Sequence, residues 1–184
     1  VSTISFGSMP NDGGHFLFTD EEKEAFFFFF PLEEPFIKPL ISAHEFLNGK
    51  NRWCLWLKDI KPNELKQLKE VHKRVESVKN LRQSSTRAAT QKLAAYPTLF
   101  GEVRQPENNY VFIPLTSSEN RKYIPMGFFN PTNILNNTAS AIDNCTFYEF
   151  GILQSEMHMS WVKYTCGRLK SDFRYSNEMV YNNY

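Results

Sequence analysis

An α+β fold is predicted by three features of the sequence. Helical and strand-like segments alternate without a regular βαβ rhythm. Leu65, Leu68, Val71, Val75, Val78 and Leu81 step by three and four, an apolar stripe with basic residues on the other sides. After Pro97 the composition turns to β-branched and aromatic runs separated by turn residues. The architecture expected is mixed, mainly antiparallel strands with one long basic helix and a helix–strand segment at the C-terminus. With 184 residues, 41% apolar and 22% charged, the chain has an ordinary soluble globular composition and the length to bury a core as one domain over residues 1–184.

The elements follow in order. Residues 4–10 read as a short strand closed by the turn-rich residues 10–14, and residues 15–18 resume an extended stretch. Thr19 and Glu22 form a capping box that starts a helix, which Pro31 must stop. The five phenylalanines at 26–30 place rings all round it, so that helix is either deeply buried or seals a neighbouring domain. Residues 35–49 carry mixed signals and an Asn48-Gly49 turn; residues 52–58 then read as a buried strand. A turn at 59–63 leads into the long striped helix, which loosens at 84–86 and resumes over 88–95. Strands are expected at Val103, 110–115 and 123–129, with a hairpin loop at 117–120 and Pro114 and Pro125 marking edges or bulges. An Asn-rich loop and a short strand around 145–148 precede an amphipathic helix marked by Phe150, Leu153, Met157, Trp161 and Tyr164. Residues 168–176 alternate polar and apolar strictly.

The charge is asymmetric. A net charge of +1 excludes a uniformly basic nucleic-acid wrapper, yet residues 61–95 carry nine Lys/Arg against three Glu. Three widely spaced cysteines, Cys54, Cys145 and Cys166, argue against a disulfide framework or a zinc site and fit a reducing compartment, so a cytoplasmic location is expected. The longest apolar run, residues 25–30, falls far short of the ~20 residues a membrane helix needs. The start at Val1 and the stop at Tyr184 read as a fragment of something larger.

Catalytic motifs are sparse. None of the eight glycines forms G-x-G-x-x-G or a P-loop, and Gly13-Gly14 reads as a turn. Asp12 with Glu21 and Lys23 could hold Mg²⁺ for a nuclease, though Glu21 and Lys23 also fit the first turn of a capped helix. Asn130-Pro131 starts like an amino-methyltransferase loop, but Thr132-Asn133 follow and the motif fails. His158, between Met157 and Met159, reads as a core histidine. No catalytic residue and no metal site is expected.

The residues after Gly167 suit nucleic-acid readout. If they form one extended strand, Arg168, Lys170, Asp172 and Arg174 share a side, with i and i+2 ~7 Å apart. Lysine donates to guanine O6/N7 and aspartate accepts from cytosine N4, so Lys170 and Asp172 could address the two bases of one pair. The alternative is a solvated strand face with an incidental ion pair.

Six blocks carry a family likeness: residues 4–14 (ISFGSMPNDGG), 53–57 (WCLWL), 97–106 (PTLFGEVRQP), 117–128 (SSENRKYIPMGF), 150–161 (FGILQSEMHMSW) and 166–176 (CGRLKSDFRYS). On these the chain resembles, over essentially its whole length, the target-recognition domain of MmeI-type restriction–modification enzymes, which fuse a nuclease, an adenine-N6 methyltransferase and a DNA-specificity domain. The resemblance implies that the catalytic domains lie before Val1 in a parent that is an adenine-specific DNA methyltransferase and, in some members, an endonuclease. It places base readout on Lys170 and Asp172, with Arg174, Asn137 and Thr138 serving another base pair. The lysine/aspartate combination goes with a G·C pair in one orientation. Arg121, Lys122, Lys163 and Arg168 become candidates for phosphate contacts. Implied partners are double-stranded DNA and the methyltransferase domain of the same chain, with no membrane. The fragment itself takes no cofactor; S-adenosylmethionine, and Mg²⁺ where the parent cleaves, belong to the parent, which flips its target adenine out of the duplex. Two other readings stay open: a helical protein-interaction module using the stripe from Leu65 to Leu81 and the phenylalanine cluster, and the Mg²⁺ nuclease.

Overall fold

The structure, a computed structural model, describes residues 2–184; Val1, where the sequence reading starts the domain, lies outside the described residues. In chain order the first elements are β1 (Ile4–Phe6), β2 (Leu17–Phe18), α1 (Asp20–Phe29), β3 (Ile37–Ile41), α2 (Ala43–Asn48) and β4 (Trp53–Leu55). Next come α3 (Pro62–Leu65), α4 (Lys69–Gln83), α5 (Ala88–Leu93), β5 (Tyr110–Pro114), β6 (Thr116–Ser117) and β7 (Gly127–Phe129). The chain continues with β8 (Ile134–Leu135), β9 (Ala139–Asp143), α6 (Phe147–Leu153), α7 (Glu156–Thr165), β10 (Gly167–Leu169) and β11 (Asp172–Arg174). Helices and antiparallel sheets make this the α+β fold expected. The chain divides into two compact units: one holds the residues up to Gly7 with Ile41–Lys50 and Arg104–Tyr184, the other Ser8–Leu40 and Asn51–Val103.

In the first unit the sheet runs β1-β9-β5-β7, antiparallel throughout. Its centre, β5, is buried along its whole length, so alternate residues serve two cores. Val111 and Ile113 pack with Leu153, Met159, Val162, Phe173, Tyr175 and Val180. Tyr110 and Phe112 pack with Leu135, Ala139 and Ala141, and the ring of Phe46 from α2 lies 4.6 Å from that of Phe112. Pro114 is tolerated because the ladder to β7 ends at Phe112, beyond which no N–H is needed on that side.

Several expectations are corrected here. The short strand at 145–148 is the start of α6: Thr146 and Glu149 form a reciprocal capping box, and that local bonding outweighs the β-propensity of Phe147 and Tyr148. The strand that does form, β9, lies at 139–143, where Ala-Ser-Ala-Ile-Asp gives little apolar signal. The single C-terminal helix is two, because Ser155 caps α7 afresh. Its buried face is His158, Met159 and Val162, while Met157 is 69% and Tyr164 91% exposed, so the expected stripe was out of phase. Val103 belongs to no strand; nearby, Glu102 makes a single bridge to Met9.

The second unit joins a β2-β4-β3 sheet to helices α1 and α3–α5. The capping box at Thr19 starts α1 as expected. Of its phenylalanines Phe26 is buried, whereas Phe28 and Phe29 are 82% and 69% exposed. The long helix is interrupted at residues 66–68. Leu68, the residue before α4, offers no capping side chain, and the buried Glu33 carboxylate instead accepts from the N–H groups of Glu70 and Val71. On α4 the inward row is Val71, Val75, Val78 and then Arg82, not Leu81. Because that row faces this unit's own core, it is not a free helix-pairing surface. The basic face is partly neutralised by Lys73–Glu70, Arg74–Glu70 and Lys79–Glu76.

Arg82 is fully buried and donates to the carbonyls of Pro10, Asn11, Leu93, Tyr96 and Leu99. One guanidinium thus ties the turn at Pro10-Asn11 to the end of α5 and the stretch that follows it. Arg82→Met should lower this unit's stability by roughly 2–4 kcal/mol, because the carbonyls of Asn11 and Leu99 lose their donor and those of Pro10, Leu93 and Tyr96 lose one of two; the shift of the urea midpoint reads it. Glu149 accepts from Thr146 N and Oγ1 and from Ser2 N and Oγ, and these bonds, Thr146 N first, hold its carboxyl at about 2 against an ordinary 4.5. A lowered pKa contributes stability above the unfolded value that is lost as pH falls from about 4.5 towards 2. In Glu149→Gln that part of the acid destabilisation should vanish from melting temperatures measured across this range.

Candidate nucleic-acid interface

The ribbon after Gly167 is a hairpin, not one extended strand. Leu169 pairs with Asp172, Arg168 with Phe173 and Gly167 with Arg174, leaving Lys170 and Ser171 as a two-residue loop. β11 then pairs with β6, Phe173 opposite Ser117 and Arg174 opposite Thr116. Lys170 takes a φ of +57°, a left-handed conformation that the loop requires and a lysine resists.

This register corrects the expected alternation. Asp172 and Arg174 share one face with Leu169, Gly167 and Thr116; Arg168 lies on the opposite face with Phe173. There its guanidinium sits 4.0 Å over the Phe173 ring, donates to Ser171 O at 2.8 Å and pairs with Glu119 at 3.8 Å. Lys170 is exposed at the loop, Asp172 half-buried and Arg174 exposed. Among the described residues no side chain or backbone group bonds the side-chain polar atoms of Lys170, Asp172 or Arg174, so all three are free to bond a ligand.

The ribbon is held from its inner face. Phe173 and Tyr175 are each 2% exposed in the core cluster. His158 bonds Leu153 O through Nδ1 at 2.8 Å and the Tyr175 hydroxyl through Nε2 at 3.1 Å. Since a carbonyl only accepts, Nδ1 carries the proton and the Tyr175 O–H donates to Nε2. Burial lowers the pKa of this imidazole, which stays neutral as a core histidine. Cys166 Sγ donates to Arg174 O and Tyr175 N to Leu115 O, fixing both edges of β11.

Asn137 and Thr138 come beside the hairpin as a group. With Arg174, Leu169, Thr116, Leu115 and the residues 42–44 they line a concavity of about 510 Å³. Thr138 Oγ1 accepts from Ala43 N at 3.0 Å, which ties the loop to the start of α2. His44 therefore belongs to this site; nothing local in the sequence marks it, since the link spans 95 residues.

The other basic candidates are less uniform. Arg121 and Lys163 are exposed, while Lys122 pairs with Glu156 at 3.4 Å and lies 5.2 Å from the Tyr123 ring centroid. The nuclease trio does other work. Asp12 is buried and caps Phe16 N, Glu21 stands in the first turn of α1, and Lys23 lies 3.7 Å over the Trp53 ring. No group of three or more His, Cys, Asp or Glu able to hold a metal occurs among the described residues. Gly13 and Gly14 form a turn as expected, and their left-handed φ values of +64° and +87° account for both glycines. No helix among the described residues is long and apolar enough to cross a membrane.

Comparison with known proteins sets this hairpin in a family. Over 181 residues, 98% of the chain, it is 42% identical to DNA methyltransferase A of Bacillus subtilis (strain 168), spanning 21% of that protein. The solved structure of the Type IIL restriction-modification enzyme MmeI in complex with DNA superposes with a TM-score of 0.97 and 38% identity, covering the whole of this chain and 25% of that one. The sequence model described as "MmeI, target recognition domain" matches residues 1–184, across both units. The chain belongs to the family of MmeI target recognition domains.

Proposed function

We propose that residues 1–184 form a target-recognition domain that reads double-stranded DNA for a fused adenine-N6 DNA methyltransferase in a restriction–modification protein. The observation that carries this is the hairpin β10–β11. At its end it presents a lysine donor and an aspartate acceptor two residues apart, with the Arg174 guanidinium one step further along the same strand. A base pair presents both acceptors and donors in the major groove, and a purely cationic patch would not distinguish among them. Family membership and the DNA-bound relative support the same reading.

In this reading Lys170 and Asp172 address one pair, and Arg174, Asn137 and Thr138 another. Arg121, Lys163 and Lys122 supply phosphate contacts, Lys122 after giving up its exposed pair with Glu156, which costs little. Arg168 takes a supporting place: held by Phe173, Ser171 and Glu119, it stiffens the hairpin and can reach a backbone phosphate only by leaving them. The fragment carries out no catalysis. S-adenosylmethionine serves the parent's methyl transfer and, with any Mg²⁺ used in cleavage, is assigned no residue of this chain. The exposed Phe28 and Phe29 suit docking against the methyltransferase part of the same polypeptide, and the location is cytoplasmic.

The charge-swapped pair Lys170→Glu with Asp172→Arg, made in the full-length enzyme, should change the base specified at one position while methylation persists. Sequencing that detects methyladenine reads the motif; an unaltered motif removes these residues from readout. Lys170→Gly separates conformation from contact. It should stabilise the fold by up to about 1 kcal/mol by relieving the left-handed lysine, yet relax discrimination at that position. Thermal unfolding and the methylated motif together check both halves.

A further inference from the structure

We propose that His44 is a further specificity-determining residue of this face, donating from Nε2–H to an acceptor on a base edge. The inference rests on the DNA-reading function above and adds a residue to it. Its ground is the hydrogen bonding around the imidazole. Asn48 Nδ2 lies 2.7 Å from His44 O and 3.3 Å from His44 Nδ1. The carbonyl can only accept, so the amide nitrogen of Asn48 must face it, and the same nitrogen then presents a donor to Nδ1. Nδ1 is therefore the unprotonated nitrogen of the neutral ring, and the ring proton resides on Nε2.

His44 is exposed and lines the concavity with Asn137, Thr138 and Arg174. Thr138 Oγ1 already accepts from Ala43 N, which leaves its O–H to donate. Arg174 is donor-only. Six polar side chains line the recess: Ser42 is taken up by Glu45 and the His44 N–H, Thr116, Thr138 and Asn137 can each donate or accept, and Arg174 and the Nε2–H of His44 only donate. The two groups that can only donate, His44 Nε2–H and the Arg174 guanidinium, suit the acceptor edge of a purine, N7 alone or N7 with O6 of guanine, rather than a cytosine amino group. Phosphate oxygens share the acceptor chemistry, and the test separates the two.

The experiment uses the full-length methyltransferase carrying His44→Ala or His44→Gln, with the methylated motif, duplex affinity across salt, and thermal unfolding as readouts. His44→Ala should leave the melting temperature unchanged, weaken binding to the cognate duplex roughly tenfold, equivalent to about 1.4 kcal/mol, and admit a second base at one motif position. His44→Gln, which keeps a donor near Nε2, should retain most of the affinity and the original motif. A uniform loss over all duplexes, with an unchanged motif and a shallower salt dependence, assigns the contact to phosphate and overturns base readout by His44. Unchanged affinity and motif in His44→Ala overturn the proposal outright. If the Lys170/Asp172 exchange in the same enzyme also leaves the motif untouched, the recognition face as a whole fails; if that exchange alters it, only His44 does.

Discussion

The two-residue loop at Lys170-Ser171 governs which side chains the β10–β11 hairpin can present outward. Because Leu169 is registered against Asp172, side chains three apart share a face across the turn, and the even-numbered row of an extended strand is broken. Asp172 and Arg174 point outward together, whereas Arg168 is carried to the inner face and stacks on Phe173. A loop one residue longer would exchange those roles. The turn also asks a lysine to adopt φ +57°, a conformation that glycine accepts without penalty. The strain thus falls on an exposed cation, the residue to which the proposed function assigns a base contact.

Rigidity comes from behind this face. Phe173 and Tyr175 enter the core that Val111 and Ile113 fill from the central strand, and the hydroxyl of Tyr175 is bonded to a neutral His158 on α7. The hairpin is therefore anchored to helix and sheet through its inner residues, while its outer residues touch little. That division lets the outer positions vary within about 0.5 kcal/mol of stability, so the side chains proposed to choose bases are separable from those that hold the ribbon. In the other unit Arg82 plays the organising part, donating to five carbonyls, of which those of Pro10, Leu93 and Tyr96 also accept a backbone N–H and those of Asn11 and Leu99 have Arg82 as their donor.

Features with a local physical signature were legible in the sequence. The capping box at Thr19, the buried strand around Cys54 and the core position of His158 follow from short-range patterns. What was missed depends on long-range partners or on competition between signals. The strand at 139–143 is built from small and polar residues, and it is buried only because β1 and β5 flank it. The apolar stripe of α4 ends on a buried arginine because loop carbonyls distant in sequence need a donor, which no periodicity shows. Lys170 and Asp172 are proposed for readout on residue type, but the hairpin that carries them is hidden because Lys-Ser is a weak turn signal beside Asn-Gly or Asp-Gly. His44 reaches the site only through the Ala43–Thr138 bond across 95 residues.

A crystal structure of the full-length enzyme on its own recognition duplex measures the central claim most directly. The result expected is Lys170 Nζ and an Asp172 carboxylate oxygen each within about 3 Å of a base-edge atom of one pair, with β10–β11 lying in the major groove. A duplex bound elsewhere, with this hairpin facing solvent or another part of the protein, would contradict it.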